Sequence, residues 1–592
     1  MKNLKNIFSY LLPSILSLAI LAVFLQLWKI DLRQPIFSYS GDEMLGSFII
    51  KNIINGGWWY SSEFVGLPHF GEKFLMHDFP IHADFFNFFI IKIFTYFSSN
   101  PFLILNSFFI FTFALISSTS FICLKSFKIS NFTATLISVL YAFTFYHFAR
   151  NSGHAFLANY SPIPLVVMVA LWIVLDEIKV VGLNNKHQFC FTPNKQFFAG
   201  LAVSGFVAMN GAYYSAYSCL IFVFAWLLNC LKTGSFLNQK FVTIFFFIAL
   251  IALVQTIIYL PAFIYFSSNG FIIKLDGRNP FESMKFALKI VALLLPNHIH
   301  RIDSWLEFTK KFSDFTTNEA TSESLGIIGS AAFLFLLFWL FAKNQDGVKS
   351  FLQKIIHKFS LDEKNQNLIS ALAGLNLLVI LYSTMAGFVI FIAVFFPTLR
   401  SHNRFSIFIA FFALFLAAII LDKILQNKKI WTKFLALIIF ILALLDQTPR
   451  LSSLKSKDLG LRFNSDKNFI EKIERKLPQS SKIFTLPFTR FPEALGNYAN
   501  LIGYLHSKNL RWSYPAMRGG ESDLWQEKIS KLDLRNFIFE LKKAGFVGVF
   551  INREIYEDIS GQKLEKIESI LKKSSVQKYL ISEDRRMEFF EI

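Results

Sequence analysis

A mainly α, multi-span membrane bundle followed by a smaller C-terminal α/β domain is the fold class this sequence predicts. Three observations lead there. The chain is 54% hydrophobic but only 17% charged, against about 25% charged in soluble globular proteins. Its apolar residues come in blocks of roughly 17 to 25, the length of helix that crosses a bilayer core. From about residue 450 onward the composition turns charged and mixed. The 74 phenylalanines fit a coding bias toward Phe, Ile, Lys and Asn and carry no functional weight.

Eleven spans are predicted, at 8–29, 101–124, 131–147, 156–175, 197–210, 213–231, 241–266, 324–342, 367–396, 404–421 and 430–446. The first follows a charged start, "MKNLKN". Its apolar stretch is too long for a signal-peptide core and no A-x-A-like site follows it, so it reads as a retained span. The segment 83–98, "ADFFNFFIIKIFTYFS", is short and carries Lys92, which predicts an interfacial helix. With the N-terminus in the cytoplasm, the inner loops hold Lys125 and Lys128; Lys179, Lys186 and Lys195; Lys232 and Lys240; a cluster from Lys343 to Lys364; and Lys423, Lys428 and Lys429. Each is basic, as the positive-inside rule requires. Much of the net charge of +19 is explained in this way. The cations are spread among loops and no recognition module is present, which argues against a nucleic-acid partner. The four cysteines show neither a disulfide framework nor metal-ligand spacing.

An odd number of spans leaves three large pieces outside: the loop 31–100, the loop 267–323, where "MKFALKIVALLLPN" predicts a second interfacial helix, and the tail. The expected division is a transmembrane module over 1–449 and an extracytoplasmic α/β domain over 450–592. In the tail, "SDKNFIEKIERKLP" predicts a helix with Ser465 as N-cap and Pro478 as stop. "SKIFTLPF" predicts a strand. "LRNFIFELKKAGFVGVFIN" predicts a helix, a Gly545 cap and a buried strand. "GQKLEKIESILKKS" predicts a helix, and "VQKYLISEDRRMEFFEI" a terminal hairpin.

Ionisable groups collect where they are expensive. Directly after span one, "FSYSGDEMLGSF" places Asp42 and Glu43 at the start of a helix-like segment, where a carboxylate is either a favourable N-terminal charge or a reactive group. The Trp58, Trp59 and Tyr60 run reads as an interfacial aromatic belt. "GLPHFGEKFLMHDFPIHADFF" then supplies His69, His77, Asp78, His82 and Asp84, more than a connector needs. A polar, acid-containing pocket is expected there; His77, Asp78 and His82 leave room for a divalent cation but match no metal motif. The short turn after span three carries His147, Arg150 and His154, and "NGAYYSAYS" puts Tyr213 and Tyr214 at another outer turn. "FFPTLRSHNRF" sets Arg400 and Arg404 on the outer side, against the positive-inside bias. A lipid phosphate or a neighbouring acid are the two reasons for such arginines. Acids on one loop and cations on others suit a reaction in which a carboxylate deprotonates a hydroxyl and guanidinium groups stabilise a departing phosphate.

An acid-bearing "GD" just after span one resembles the GT-C superfamily of integral-membrane glycosyltransferases, which use polyprenyl-phosphate sugars. The stretches "GWWYSSEFVGLPHFGEKFLMHDFPIHAD", "YAFTFYHFARNSGHAFLANYSPIPL", "GAYYSAY", "SESLGIIG", "FPTLRSHNRF", "FTLPFTRFPE", "LRWSYPAMRGGESDLW" and "KKAGFVGVFINREIY" are similar to a bacterial YfhO-like, "sugar translocase"-type branch. That resemblance implies Asp42 as catalytic base and Asp78 as second acid, with Asp84 competing for the latter role. It also implies Arg400 and Arg404 at the lipid phosphate, Glu323 as an acid before a span, and an appended domain that binds acceptor. This chain departs from the pattern by adding Glu43 beside Asp42, which leaves open which of the two acts. In the tail Arg511, Trp512, Arg518, Glu521 and Trp525 form the candidate sugar surface. The expected function is sugar transfer from a polyprenyl-phosphate donor to a cell-envelope glycan or lipid in a bacterial inner membrane. A lipid-linked-sugar translocase and a non-catalytic accessory protein are the competing readings.

Overall fold

The computed structural model describes residues 2–592 except 67–73, 78, 80, 184–188, 237–238, 271–278, 313–321, 345, 427–429, 455–457, 493–496 and 560–578. Each predicted span has a helical counterpart. Among the described residues eight helices are long and apolar enough to cross a bilayer, and Pro162–Val174, Lys195–Ala208 and Gly326–Ala342 are shorter apolar ones. The chain is a multi-pass membrane protein.

The first helix, α1 (Lys2–Leu25), packs on Pro101–Ser126 and Asn131–Ala142, and Gly326–Asn344 packs on Ser406–Leu425 and Glu363–Ser383. His402–Leu425 lies at the centre, with 83% of its apolar window buried in protein, whereas Gln239–Asn269 stands at the rim with 22% buried. Large aromatic and branched side chains fill the interior, among them Phe113, Trp339, Phe408 and Phe412.

Two departures from expectation share one cause. The predicted span 367–396 is helical only to Ser383, and a separate helix covers Val389–Phe395. Between them Ala386 takes a left-handed φ of 59°. The predicted interfacial helix at 284–297 is likewise split, into Glu282–Lys285 and Ile290–Leu294. The two interruptions meet: Leu288 N–H donates to the Ser383 carbonyl at 2.8 Å, and Leu288 bridges Thr384 in parallel. Each extended segment satisfies backbone groups the other leaves open. The segment expected to lie at the interface forms Phe85–Thr95, with Phe89 exposed.

Two short hairpins, β1 (Ser61–Ser62) with β2 (Phe74–Leu75) and β3 (Val181–Leu183) with β4 (Phe189–Phe191), punctuate the loops. The tail carries a mixed sheet of β5 (Lys482–Leu486), β6 (Arg511–Trp512), β7 (Phe546–Asn552), β8 (Tyr579–Ile581) and β9 (Met587–Glu591), in the order β6-β5-β7-β9-β8. The first three run parallel, and β8 and β9 form the expected antiparallel terminal hairpin. Helix Leu534–Lys543 ends before Gly545, whose φ of 80° suits only glycine comfortably, and β7 follows as predicted. Helix Leu459–Lys476 stops ahead of Pro478 but starts earlier than expected, because its buried face already includes Phe463. Ser465 therefore lies inside the helix, and its hydroxyl donates to Asp584 at 2.8 Å. The predicted helix at 561–574 lies outside the described residues.

The tail has one core of its own, around Phe484, Phe537, Phe546 and Phe590, and shares a second with the membrane part. Helix α2 (Gly41–Ile54) contributes Met44, Phe48, Ile49 and Ile53 to one hydrophobic cluster with Phe463, Ile483, Leu505 and Trp512. Backbone pairing joins the same parts: Trp512 N–H donates to Phe64 at 2.8 Å and Gly66 N–H to Trp512 at 2.9 Å, so loop one extends the edge of the sheet at β6.

Candidate active site

The two acids of the loop after α1 receive different environments. Both lie in the first turn of α2, after Ser40 in extended conformation. The sequence Ser40-Gly-Asp-Glu43 has capping-box spacing, and Glu43 does fold back onto backbone: its Oε2 accepts the Ser38 N–H at 3.1 Å. Only 1% of Glu43 is exposed. Burial raises its carboxyl to about 8, against the opposing hydrogen bonds of Ser152 and Ser38. Glu43 is a buried, mainly neutral acid that shapes the turn. Asp42 has 47% of its side chain exposed, and its carboxylate lies 3.1 Å from His154 Nε2.

His154 is brought there by the turn after Phe145–Arg150. Asn151 adopts φ 39°, the Asn151 side chain accepts the Gly153 N–H at 2.7 Å, and His154 N–H donates to the Arg150 carbonyl at 2.9 Å. A Cβ on Gly153 would come within 3.9 Å of the Glu43 backbone nitrogen. The turn thus closes directly onto the start of α2. Arg150 is buried; its guanidinium donates to Ser322 Oγ at 3.3 Å and lies 5.1 Å from the Tyr146 ring centre. Next to Ser322 is Glu323, also buried. Burial raises its carboxyl well above the usual range, against the Lys289 backbone, the Asn403 side chain and the charges of Lys289 and Arg150. Arg404 is 6% exposed and stacks 4.3 Å from the Tyr213 ring centre, and Tyr146 and Tyr214 hydroxyls approach to 3.4 Å. Asp42, Glu43, Arg150, His154, Tyr213, Tyr214, Glu323 and Arg404 are therefore linked into one region by these contacts.

Other expected members go elsewhere. His147 is fully buried in the bundle, its ring 3.7 Å from Phe113 and its Nδ1–H donating to Ala142 at 2.9 Å, so it supports helix packing instead of lining a pocket. Arg400 pairs with Glu282 and stacks on Phe286, the neighbouring-acid alternative. Asp84 accepts from Asn87 at 3.1 Å beside Gly211, and burial raises it to about 7 against that hydrogen bond. His77 packs at a tilt against the Tyr60 and Tyr265 rings; burial and the neighbouring His82 lower it to about 4. His82 Nε2–H donates to the His77 carbonyl at 3.0 Å, which commits that nitrogen. Asp78 and His69 lie outside the described residues. Among the described residues no group of three or more His, Cys, Asp and Glu converges as metal ligands.

Trp59, expected in an interfacial belt, is 2% exposed and stacks on Phe88. In the tail Trp512 is a core residue, 1% exposed and packed edge-on against Phe550, because β6 is covered by loop one. Arg518 donates to the Pro492 carbonyl at 2.8 Å and Trp525 stacks on Phe546. Of the candidate sugar surface, Trp512 is thus internal, Arg511, Arg518 and Trp525 are half-buried, and Glu521 is exposed. Sequence reasoning passed over Ser38, Ser152, Lys289 and Asn403. The one local signal was "RNSGH", whose Asn and Gly mark the tight turn.

Comparison with known proteins finds no matching family model and no matching curated protein. Among solved structures the chain is similar to the oligosaccharyltransferase AglB from Archaeoglobus fulgidus, in complex with an inhibitory peptide and a dolichol-phosphate. That match has 11% identity and a TM-score of 0.40, covering 98% of this chain and 74% of that one. It is also similar to ArnT from Cupriavidus metallidurans bound to undecaprenyl phosphate, at 11% identity and a TM-score of 0.42, covering 97% of each chain. Both likenesses are at low identity.

Proposed function

We propose that this chain is a membrane glycosyltransferase. It takes a sugar from a polyprenyl-phosphate carrier and transfers it to a cell-envelope glycan or lipid at the outer face of a bacterial inner membrane. The proposed topology keeps the N-terminus cytoplasmic and residues 450–592 outside. The observation that carries the reading is a half-exposed Asp42 held at 3.1 Å by His154, on a turn that also presents the buried Arg150.

In this reading Asp42 is the catalytic base and His154 fixes its orientation. The acceptor hydroxyl gives its proton to Asp42 as its oxygen bonds to the anomeric carbon. The bond from that carbon to the phosphate oxygen breaks, and its electron pair leaves with the phosphate, inverting the anomeric centre. Arg150 and Arg404 supply positive charge from within low-dielectric surroundings, where it acts more strongly than in water. Glu43, kept mainly neutral at pH 7 by burial, adds little competing negative charge beside the base. Asp78 stays the candidate second acid.

The test compares wild type and Asp42→Asn in nanodiscs on a panel of radiolabelled polyprenyl-phosphate sugars, following donor binding and transfer separately. Retained binding with lost transfer is expected of the variant. A wild-type protein that binds donor, never consumes it and moves it between leaflets would replace this reading with the translocase.

A further inference from the structure

The seam between tail and membrane bundle is incompletely filled. A polar cleft of 460 Å³ opens there, between the segment after α1 (Asp31–Gln34), the start of Pro101–Ser126, and the tail's Phe463–Glu471 face and His506–Lys508 turn. Its walls are tied together: Asn100 Nδ2 donates to the Arg33 carbonyl at 3.3 Å, and Tyr39 and His506 share a hydrogen bond of 2.6 Å at the base.

The cleft is electropositive. Arg33, Lys467 and Lys508 are exposed around it, and none of the three forms an ion pair among the described residues. Four cations of the lining, Arg33, Lys51, Lys467 and Lys508, outnumber its two acids, Asp31 and Glu471. Asp31 accepts the Arg33 N–H at 3.0 Å, and Glu471 pairs with Arg475 at 3.6 Å. Glu474, beside the cleft, accepts the Lys508 N–H at 2.8 Å. His506 registers the field: burial, Lys51 and Lys467 together lower its imidazole to about 3. The depth is marked by aromatics. Trp28, three residues before Asp31, and Tyr96 and Phe97, just before Ser99, are exposed by 66%, 78% and 84%. Exposed aromatics at the ends of apolar helices sit at the headgroup level of a bilayer.

We propose that this cleft binds the phosphate of an anionic phospholipid headgroup, with Arg33, Lys467 and Lys508 as counter-charges. The amide nitrogen of Asn464, whose oxygen already faces Gln34 at 3.5 Å, donates to the same phosphate. The bound lipid bridges bundle and tail at the membrane surface, independently of any reaction at Asp42. Cations on the outer side, where the positive-inside bias does not place them, acquire a reason.

The experiment is native mass spectrometry of the full-length protein in detergent, titrated with phosphatidylglycerol or phosphatidylcholine. The wild type is compared with the triple variant Arg33→Gln, Lys467→Gln, Lys508→Gln. A wild-type preference for phosphatidylglycerol is expected, weakened by about a hundredfold in the variant, roughly fivefold per cation. Unchanged lipid-free melting would verify that the exposed substitutions leave the fold intact. Equal retention of both lipids, or an undiminished preference in the triple variant, overturns the proposal. So does displacement of the lipid by millimolar inorganic phosphate or by an acidic oligosaccharide, which would assign the cleft to a free anion or a glycan. Should the triple variant misfold, single variants carry the test, each expected to lose roughly fivefold.

Discussion

At the first turn of α2, Asp42 keeps 47% of its side chain in solvent and one neighbour, His154. Nine residues along the same helix, Lys51 is 8% exposed, and its ammonium donates to the carbonyls of Tyr504, Leu505 and Ser507 at the end of helix Ile502–His506. Burial lowers Lys51 to about 7, with Glu474 opposing. Asn52 and Asn55 both meet the Tyr504 hydroxyl at 3.0 Å. One end of the helix is left able to meet a ligand, and the other is clamped to the tail. The contrast teaches that a charged group's surroundings, more than its type, decide between chemistry and architecture: a carboxylate with open solvent can exchange a proton, whereas an ammonium engaged by three carbonyls can only hold two segments together.

The contrast breaks most sharply at its two poles. Asp42→Asn is expected to cut sugar transfer by about 10² to 10⁴-fold with an unchanged melting temperature; a parallel fall in melting would make Asp42 structural. Trp512→Ala, at the junction of β6 and loop one, should destabilise by about 3–5 kcal/mol, seen as a lower denaturation midpoint and faster proteolysis of the tail. Lys51→Met should cost about 1.5–3 kcal/mol through lost charge-assisted hydrogen bonds, again in stability and tail proteolysis and not in the residual transfer rate of folded protein.

Glu43 sharpens the comparison by pH. Its folded value of about 8 is above the 4.5 of a free carboxyl. The folded state therefore binds more protons than the unfolded state between those values, and stability falls as pH rises from 4.5 toward 8. Glu43→Gln should flatten that slope in melting curves taken across this window; an unaltered slope would show that Glu43 is ionised in place. Smallest is Arg400→Gln, whose part-exposed pair with Glu282 is worth about 0.2–1 kcal/mol. A transfer rate within twofold of wild type would place Arg400 outside the chemistry, and a large loss would return it to the phosphate.

Much of the membrane part was legible because crossing a bilayer demands length and apolarity, which a sequence displays directly. The misread span at 367–396 shows the limit: "STMAG" contains no proline, and the helix breaks because Leu288, about a hundred residues earlier, offers a strand-like partner. Tail helices and strands were legible from their periodicity and from Gly545 and Pro478. Trp512 was misplaced because an aromatic beside arginines looks the same in sequence on a surface or under a loop.

By itself the sequence determined the multi-pass helical character, the basic residues in alternate loops between spans, and the gathering of acids, histidines and arginines in the other turns. Those follow from composition and spacing, which act locally. Tertiary structure alone separated Asp42 from Glu43, joined His154 to one and buried the other, drew Arg400 to Glu282, and fused the tail to α2 in a shared core. Burial and partnership are set by residues distant in sequence, and it is these that fix whether a charge is exposed, paired or neutral.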